Sequence, residues 1–274
     1  MKRKSKFVCL LCTIIIIGFR LPDPLDAPVH TIYQSPTTVQ SLSADIYRQY
    51  LTAHKILDST QSPEAAVVKR ISDRVINAVK NQYNTKKSIK ELDGFNWEVK
   101  LVHNTKVDAW CLPGGKIVVY SSLLPLTQSD ASMAVVLSHE IAHVLLKHGD
   151  VRMKQYLKEY LGGKSLDLAL SAKTIETKDF FRMAYGNGDY FGPIRAFSSA
   201  DEIEADKLGA VFCALAGYDP TESIVFWERM NKLNGTGRQP EIISTHPVDT
   251  KRVSQLKEIM EETVKNYYKP IRKN

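Results

Sequence analysis

Apolar and polar positions recur along this chain with two different periods. Apolar residues three and four apart mark helical stretches near 41–58 and 63–83. The second opens on Ser62-Pro63-Glu64, a hydroxyl, a fixed φ and an early carboxylate that suit a helix start. The period then drops to two: Trp97 to Val102 alternates like a strand, and Val107 to Tyr120 reads as two short strands around Pro113-Gly114-Gly115. From an N-cap at Asp130 to about Gly149, the residues Met133, Ala134, Val135, Val136, Leu137, Ile141, Ala142, Val144, Leu145 and Leu146 predict a helix that is apolar on nearly every side and therefore buried. Helical patterns resume at 150–161, 165–184, 199–217, 220–233 and 248–266, with loops at Gly186-Asn187-Gly188-Asp189 and Asn234-Gly235-Thr236-Gly237. The pattern predicts one α+β domain over residues 41–268, mostly helical, with a small sheet.

The residues ahead of that domain read differently. Residues 21–40 are rich in Pro, Thr, Ser and Gln, the composition of a linker. Before them, Lys2, Arg3, Lys4 and Lys6 precede thirteen uncharged residues from Phe7 to Phe19. A basic start followed by a short apolar run is the pattern of an export signal or N-terminal membrane anchor over residues 1–20. As a helix the run spans about 20 Å, short of a hydrocarbon core of about 30 Å, so a full span is not expected, and cleavage, lipidation or retention as a membrane anchor is left open.

Charge and cysteine usage narrow the function classes. The net charge is +7, but the first twenty residues hold five cations, Arg20 included, which leaves +2 for the rest. No basic surface for nucleic acid is expected from so small a residue of charge. Cys9 and Cys12 fall in the leader; Cys111 and Cys213 sit in apolar surroundings that suit core thiols, with a bridge between them left open.

The chemistry lies inside the buried helix. Ser138-His139-Glu140-Ile141-Ala142-His143-Val144 carries an H-E-x-x-H pattern, and helical positions four apart share a face. His139 and His143 can therefore aim two imidazole nitrogens at one metal ion, and Glu140 can take a proton from a water there without ligating it. A catalytic zinc site needs a third protein ligand and keeps one position open. Glu202 and Asp206, four apart on the helix predicted at 199–217, supply one ligand carboxylate and one carboxylate to orient a histidine. Ala205 and Gly209 are small enough to let that helix approach the metal-motif helix closely.

Four ordered motifs together carry a resemblance: Ala109-Trp110-Cys111-Leu112-Pro113-Gly114-Gly115-Lys116-Ile117, then His139-Glu140-Ile141-Ala142-His143, then Glu202-Ile203-Glu204-Ala205-Asp206, then Thr245-His246-Pro247. The chain resembles the HtpX and CAAX-prenyl-protease family of zinc metallopeptidases over roughly residues 40–266. Within that family it is similar to the soluble Oma-type and periplasmic quality-control branch. The resemblance implies a zincin-like domain with one zinc ion held by His139, His143 and Glu202, Glu140 as general base and Asp206 as outer carboxylate. It further implies that His246 and Arg252 contact the substrate carbonyl or oxyanion. The stretch Leu112, Pro113, Gly114, Gly115, Lys116, Ile117 and Val118 would be an edge strand holding an extended peptide. Two departures are visible: Phe197-Ser198-Ser199 stands where the family has Tyr-Ser-Arg, and Asp108-Ala109-Trp110 stands where it has Asn-Ala-Phe.

The implied function is a zinc endopeptidase acting on exported or membrane-associated, misfolded polypeptides in the bacterial periplasm or cell envelope, tethered if the leader is retained. The competing reading is a latent protease, gated by residues 174–197 or by His246, that serves mainly as a chaperone-like polypeptide-binding factor. The oligomeric state is left open.

Overall fold

The apolar periods identified above become two layers of helices around one small sheet. The computed structural model describes residues 36–160, 162, 166–185, 196–233 and 240–271. The leader, residues 21–35 of the linker, the two glycine-rich loops and part of the 174–197 segment lie outside the described residues.

The chain enters through α1 (Pro36–Ala53), which claims the last five residues expected of the linker. Strand β1 (Ile56–Leu57) follows, where continued helix was expected. In α2 (Pro63–Thr85) the Ser62 hydroxyl accepts from the Ala65 amide, and Val68, Ile71, Val75, Ile76 and Val79 line the buried face. Strands β2 (Glu98–Val102), β3 (Ala109–Leu112) and β4 (Lys116–Tyr120) complete the sheet, in the order β1-β2-β4-β3. Strands β2 and β4 are parallel; β1 joins β2, and β3 joins β4, antiparallel.

Both faces of the sheet are covered, and the period of two shows how. Ala109, Cys111, Ile117 and Val119 join the core built with α2 and the metal-motif helix, whereas Trp110, Leu112, Val118 and Tyr120 join a second core built with α1. Cys111 and Cys213 are both free, buried thiols, so the bridge left open above does not form. After α3 (Leu124–Thr127), the metal-motif helix α4 (Asp130–Leu145) starts one residue earlier than expected, with Ser129 as its cap. Every residue of α4 from 132 to 145 is buried.

Helix α4 ends at Leu145 rather than near Gly149. Lys147 adopts φ 59°, a left-handed conformation that breaks the helix and starts α5 (His148–Tyr160) in a new direction. A second such break at Lys173, φ 47°, splits the expected 165–184 helix into α6 (Leu166–Ala172) and α7 (Ile175–Tyr185). Helices α8 (Ser199–Leu215), α9 (Glu222–Leu233), the short α10 (Glu241–Thr245) and α11 (Thr250–Tyr267) finish the first layer. No described helix is long and apolar enough to cross a membrane.

Candidate metal centre

Three elements bring the polar groups together inside the first core. On α4, His139 and His143 stand one turn apart with their Nε2 atoms 3.0 Å from each other. Helix α8 runs across α4, and a Cβ added to Gly209 would lie 3.0 Å from the His139 backbone. That close approach carries Glu202 and Asp206, on the same side of α8, to the histidines. Helix α8 begins with a reciprocal cap between Ser198 and Asp201, which places Glu202 in its first turn. His246, at the end of α10, reaches in from the third side.

The distances define one cluster. Glu202 Oε2 lies 3.5 Å from His139 Nε2, and Glu202 Oε1 lies 3.4 Å from His143 Nε2 and 2.9 Å from His246 Nδ1. Donor atoms of His139, His143, Glu202 and His246 all lie within 4.8 Å of one another, and all four residues are buried. The nitrogens facing inward belong to rings whose other nitrogens already have partners: His139 Nδ1 is 3.0 Å from Asp206 Oδ1, and His143 Nδ1 is 2.9 Å from His148. Imidazole lone pairs and a carboxylate converging in a dry core repel each other unless protons or a metal cation lie between them. The donor set, imidazole nitrogens with one carboxylate oxygen, fits zinc, a borderline-soft ion.

Burial and charge set the protonation states. Burial opposes charge on Glu202, but Arg252 and His246 outweigh it and hold the carboxyl well below its usual range. Burial also opposes charge on His139, yet Asp206 and Glu202 raise that ring to about 9. His143 goes the other way, kept well below the usual histidine value by burial. Burial pushes the Glu140 carboxyl up, countered in part by His246 and His139. Glu140 Oε1 stands 3.3 Å from His246 Nε2.

A model of peptidase family M48 matches residues 65–260. The chain belongs to peptidase family M48. Among curated relatives, the M48 chain is 31% identical over 245 residues to the mitochondrial metalloendopeptidase OMA1 of Saccharomyces cerevisiae, covering 82% of this chain and 66% of the relative. It is 34% identical over 184 residues to the Arabidopsis thaliana protein of the same name, covering 64% of this chain and 34% of the relative. It is 27% identical over 163 residues to the beta-barrel assembly-enhancing protease of Escherichia coli, covering 56% of this chain and 32% of the relative. The chain thus spans between about a third and two thirds of the length of these relatives.

Against this M48 frame, the residues expected at the site fall into three groups. His139, Glu140, His143, Glu202, Asp206 and His246 come together as described. Arg252 comes to the same place but in a different posture from the one expected. Its Nε and one terminal nitrogen donate to the two Asp206 oxygens at 2.8 and 2.9 Å, while Nη1 pairs with Glu202 and donates to the Pro247 carbonyl at 3.0 Å. With its guanidinium 4.3 Å from the Trp227 ring centre, Arg252 is locked onto the carboxylates rather than turned to a substrate.

The expected peptide-holding stretch is the third group, and the sheet corrects it. Lys116, Ile117 and Val118 lie in β4, which is paired on both sides, so they offer no edge. Lys116 is buried and donates to the Asn96 carbonyl at 2.6 Å. The Pro113-Gly114-Gly115 turn packs inward as well: a Cβ on Gly115, φ 82°, would meet the Trp97 ring at 2.6 Å. The outer strand beside β4 is β3, which packs on α4 and of the expected stretch contains only Leu112.

Three residues of the site were not anticipated. Phe197 stacks on His143, ring centres 4.0 Å apart, beneath the Arg152 guanidinium. Trp227 meets His139 edge-on at 5.5 Å. His148 is the third; its spacing from His143 was visible, but on a continuous helix five residues turn it about 140° away, and the break at Lys147 is what returns it.

Proposed function

We propose that the chain is a zinc-dependent endopeptidase in which His139, His143 and Glu202 hold one zinc ion and Glu140 is the general base. The observation that carries this reading is Glu140 itself: a buried carboxyl with a raised proton affinity, beside the cluster of three histidines and Glu202 but outside it. Bound zinc would supply Lewis acidity, polarising the scissile carbonyl and acidifying its water toward a pKa of about 7. Glu140 accepts the proton of the attacking water and returns it to the leaving amine, two tasks that suit a carboxyl lifted above its usual range. Asp206 fixes the His139 ring through Nδ1, and Arg252 offsets part of the charge of Asp206 and Glu202. The outer strand β3, lying against α4, would pair with an extended peptide backbone beside Glu140. An edge that pairs through the main chain alone would take unfolded or misfolded polypeptides. The basic and apolar leader supports an exported, envelope-associated protein, and the named activities of the relatives support peptide-bond hydrolysis.

A second reading is favoured by one contact. His246 Nδ1 is nearer to Glu202 than either motif histidine is, and its Nε2 faces Glu140, so His246 stands where a substrate carbonyl would approach. In that posture the enzyme is latent, acts mainly as a polypeptide-binding factor, and needs His246 to swing out before its ring can serve an oxyanion.

One experiment tests both readings: zinc content and casein cleavage of the full chain as wild type, Glu140→Gln and His246→Ala. The base assignment predicts one zinc per chain in wild type and Glu140→Gln, with turnover in the latter reduced by at least about 100-fold. Normal cleavage by Glu140→Gln would remove Glu140 from the mechanism. Cleavage that rises in His246→Ala would establish the latent form.

A further inference from the structure

Both ring nitrogens of His143 are engaged. Nε2 faces His139 and Glu202, while Nδ1 lies 2.9 Å from Nδ1 of His148. His148 is 1% exposed, and its remaining nitrogen points at α8, with Nε2 3.4 Å from Glu204 Oε2 and 3.9 Å from Asp201 Oδ1. Two Nδ1 atoms at such a distance share a single proton, one donating and the other accepting. If His143 offers the lone pair of Nε2 to a cation, as the zinc reading on which this inference rests requires, its proton sits on Nδ1. His143 then donates and His148 accepts. The proton of His148 is thereby placed on Nε2, the nitrogen that faces the carboxylates.

We propose that His148 is a positioning residue: it accepts the Nδ1 proton of His143, holds that ligand in one tautomer with Nε2 turned to the metal, and hands the polarity on to Glu204 and Asp201. The arrangement does for His143 what Asp206 does for His139, with a neutral ring in place of a carboxylate. The substitution has an electrostatic reason. Arg252 and a bound zinc ion together balance Asp206, Glu202 and Glu140, and a further carboxylate touching the histidines would be an uncompensated charge in a dry core. A neutral imidazole supplies the acceptor without the charge and moves the carboxylate outward to Glu204, whose side chain is half exposed and screened by water. Phe197 stacked on His143 leaves the ring plane little freedom, so the hydrogen bond at Nδ1 decides which nitrogen points inward.

The test uses the zinc-loaded full chain. Two-bond proton–nitrogen correlation spectra of wild type should show His143 protonated at Nδ1 and His148 protonated at Nε2 only. His148 protonated at Nδ1 would overturn the proposal, and this measurement needs no variant to fold. Zinc affinity by chelator competition supplies the second readout, with apo-protein melting followed in parallel. His148→Phe keeps a ring but removes the acceptor and should weaken zinc binding by about 10- to 100-fold. His148→Gln, which restores an acceptor oxygen, should recover most of that loss. Wild-type affinity in His148→Phe, with its fold intact, would likewise overturn the role. A wild-type chain that bound no zinc at all would instead sink the zinc reading, so the two failures are told apart.

Discussion

Arg252 concentrates the electrostatics of the site in one side chain. It is 5% exposed, bidentate on Asp206 and paired with Glu202, and burial of its charge is offset by those two carboxylates. Removing it leaves two carboxylates facing each other in a dry core, a loss of about 3–5 kcal/mol for a broken buried pair. Arg252→Met, which keeps much of the volume over Trp227, should therefore lower the urea midpoint of the metal-free protein strongly. Zinc, a cation beside Glu202, should restore part of the loss. Urea titrations with and without zinc would check this, and a metal-free Arg252→Met protein that unfolds at the wild-type midpoint would show that the pairing is not structural. His139 with His143 and Glu202 with Asp206 were legible in the sequence because helical spacing puts each pair on one face, and Glu140 because it stands beside the first histidine of the H-E-x-x-H pattern. The direction of Arg252 was not, because it depends on where α11 lies relative to α8.

Helix α8 delivers its carboxylates only because it nearly touches α4, and Gly209 is the point of contact. A methyl group there would press on the backbone of His139 and Ser138, which cannot rotate away as a flexible side chain could. Gly209→Ala gains about 1 kcal/mol of helix propensity but incurs about 1–3 kcal/mol of overpacking. It should be net destabilising in thermal melts and should weaken zinc binding by moving Glu202 off the histidines. A Gly209→Ala protein that is more stable than wild type with unchanged zinc affinity would show that the contact has slack. The long helices were readable for the same reason that this contact is: α2, α4, α8 and α11 each carry several turns of consistent pattern. Elements of a turn or less were not. Strand β1 has two residues, and α3 and α10 have four and five, too few for any period to register. The breaks at Lys147 and Lys173 were invisible because lysine is an ordinary helix residue and nothing local announces its positive φ.

At the scale of the whole molecule, the sheet is the common wall of two cores, and the metal cluster sits where the first core meets elements that also belong to the second. His139, His143 and Glu202 come from α4 and α8, but His148 and Arg152 come from α5, whose Met153, Tyr156 and Leu157 pack in the second core. With β4 and β3 contributing alternate side chains to both cores, neither can melt without stripping one face of the other's sheet. The described residues should therefore unfold in a single transition, with metal binding transmitted to all of it. At free zinc 1,000-fold above its dissociation constant, linkage adds about 4 kcal/mol. At about 2–4 °C per kcal/mol for a domain of this size, removal of zinc by a chelator should lower the melting temperature by about 10 °C. The shift should vanish in Glu202→Gln, which loses the carboxylate that all three histidines face. Scanning calorimetry with and without chelator would measure it. Two separate peaks, with only one moved by the chelator, would show instead that the cores melt independently and that the sheet does not couple them.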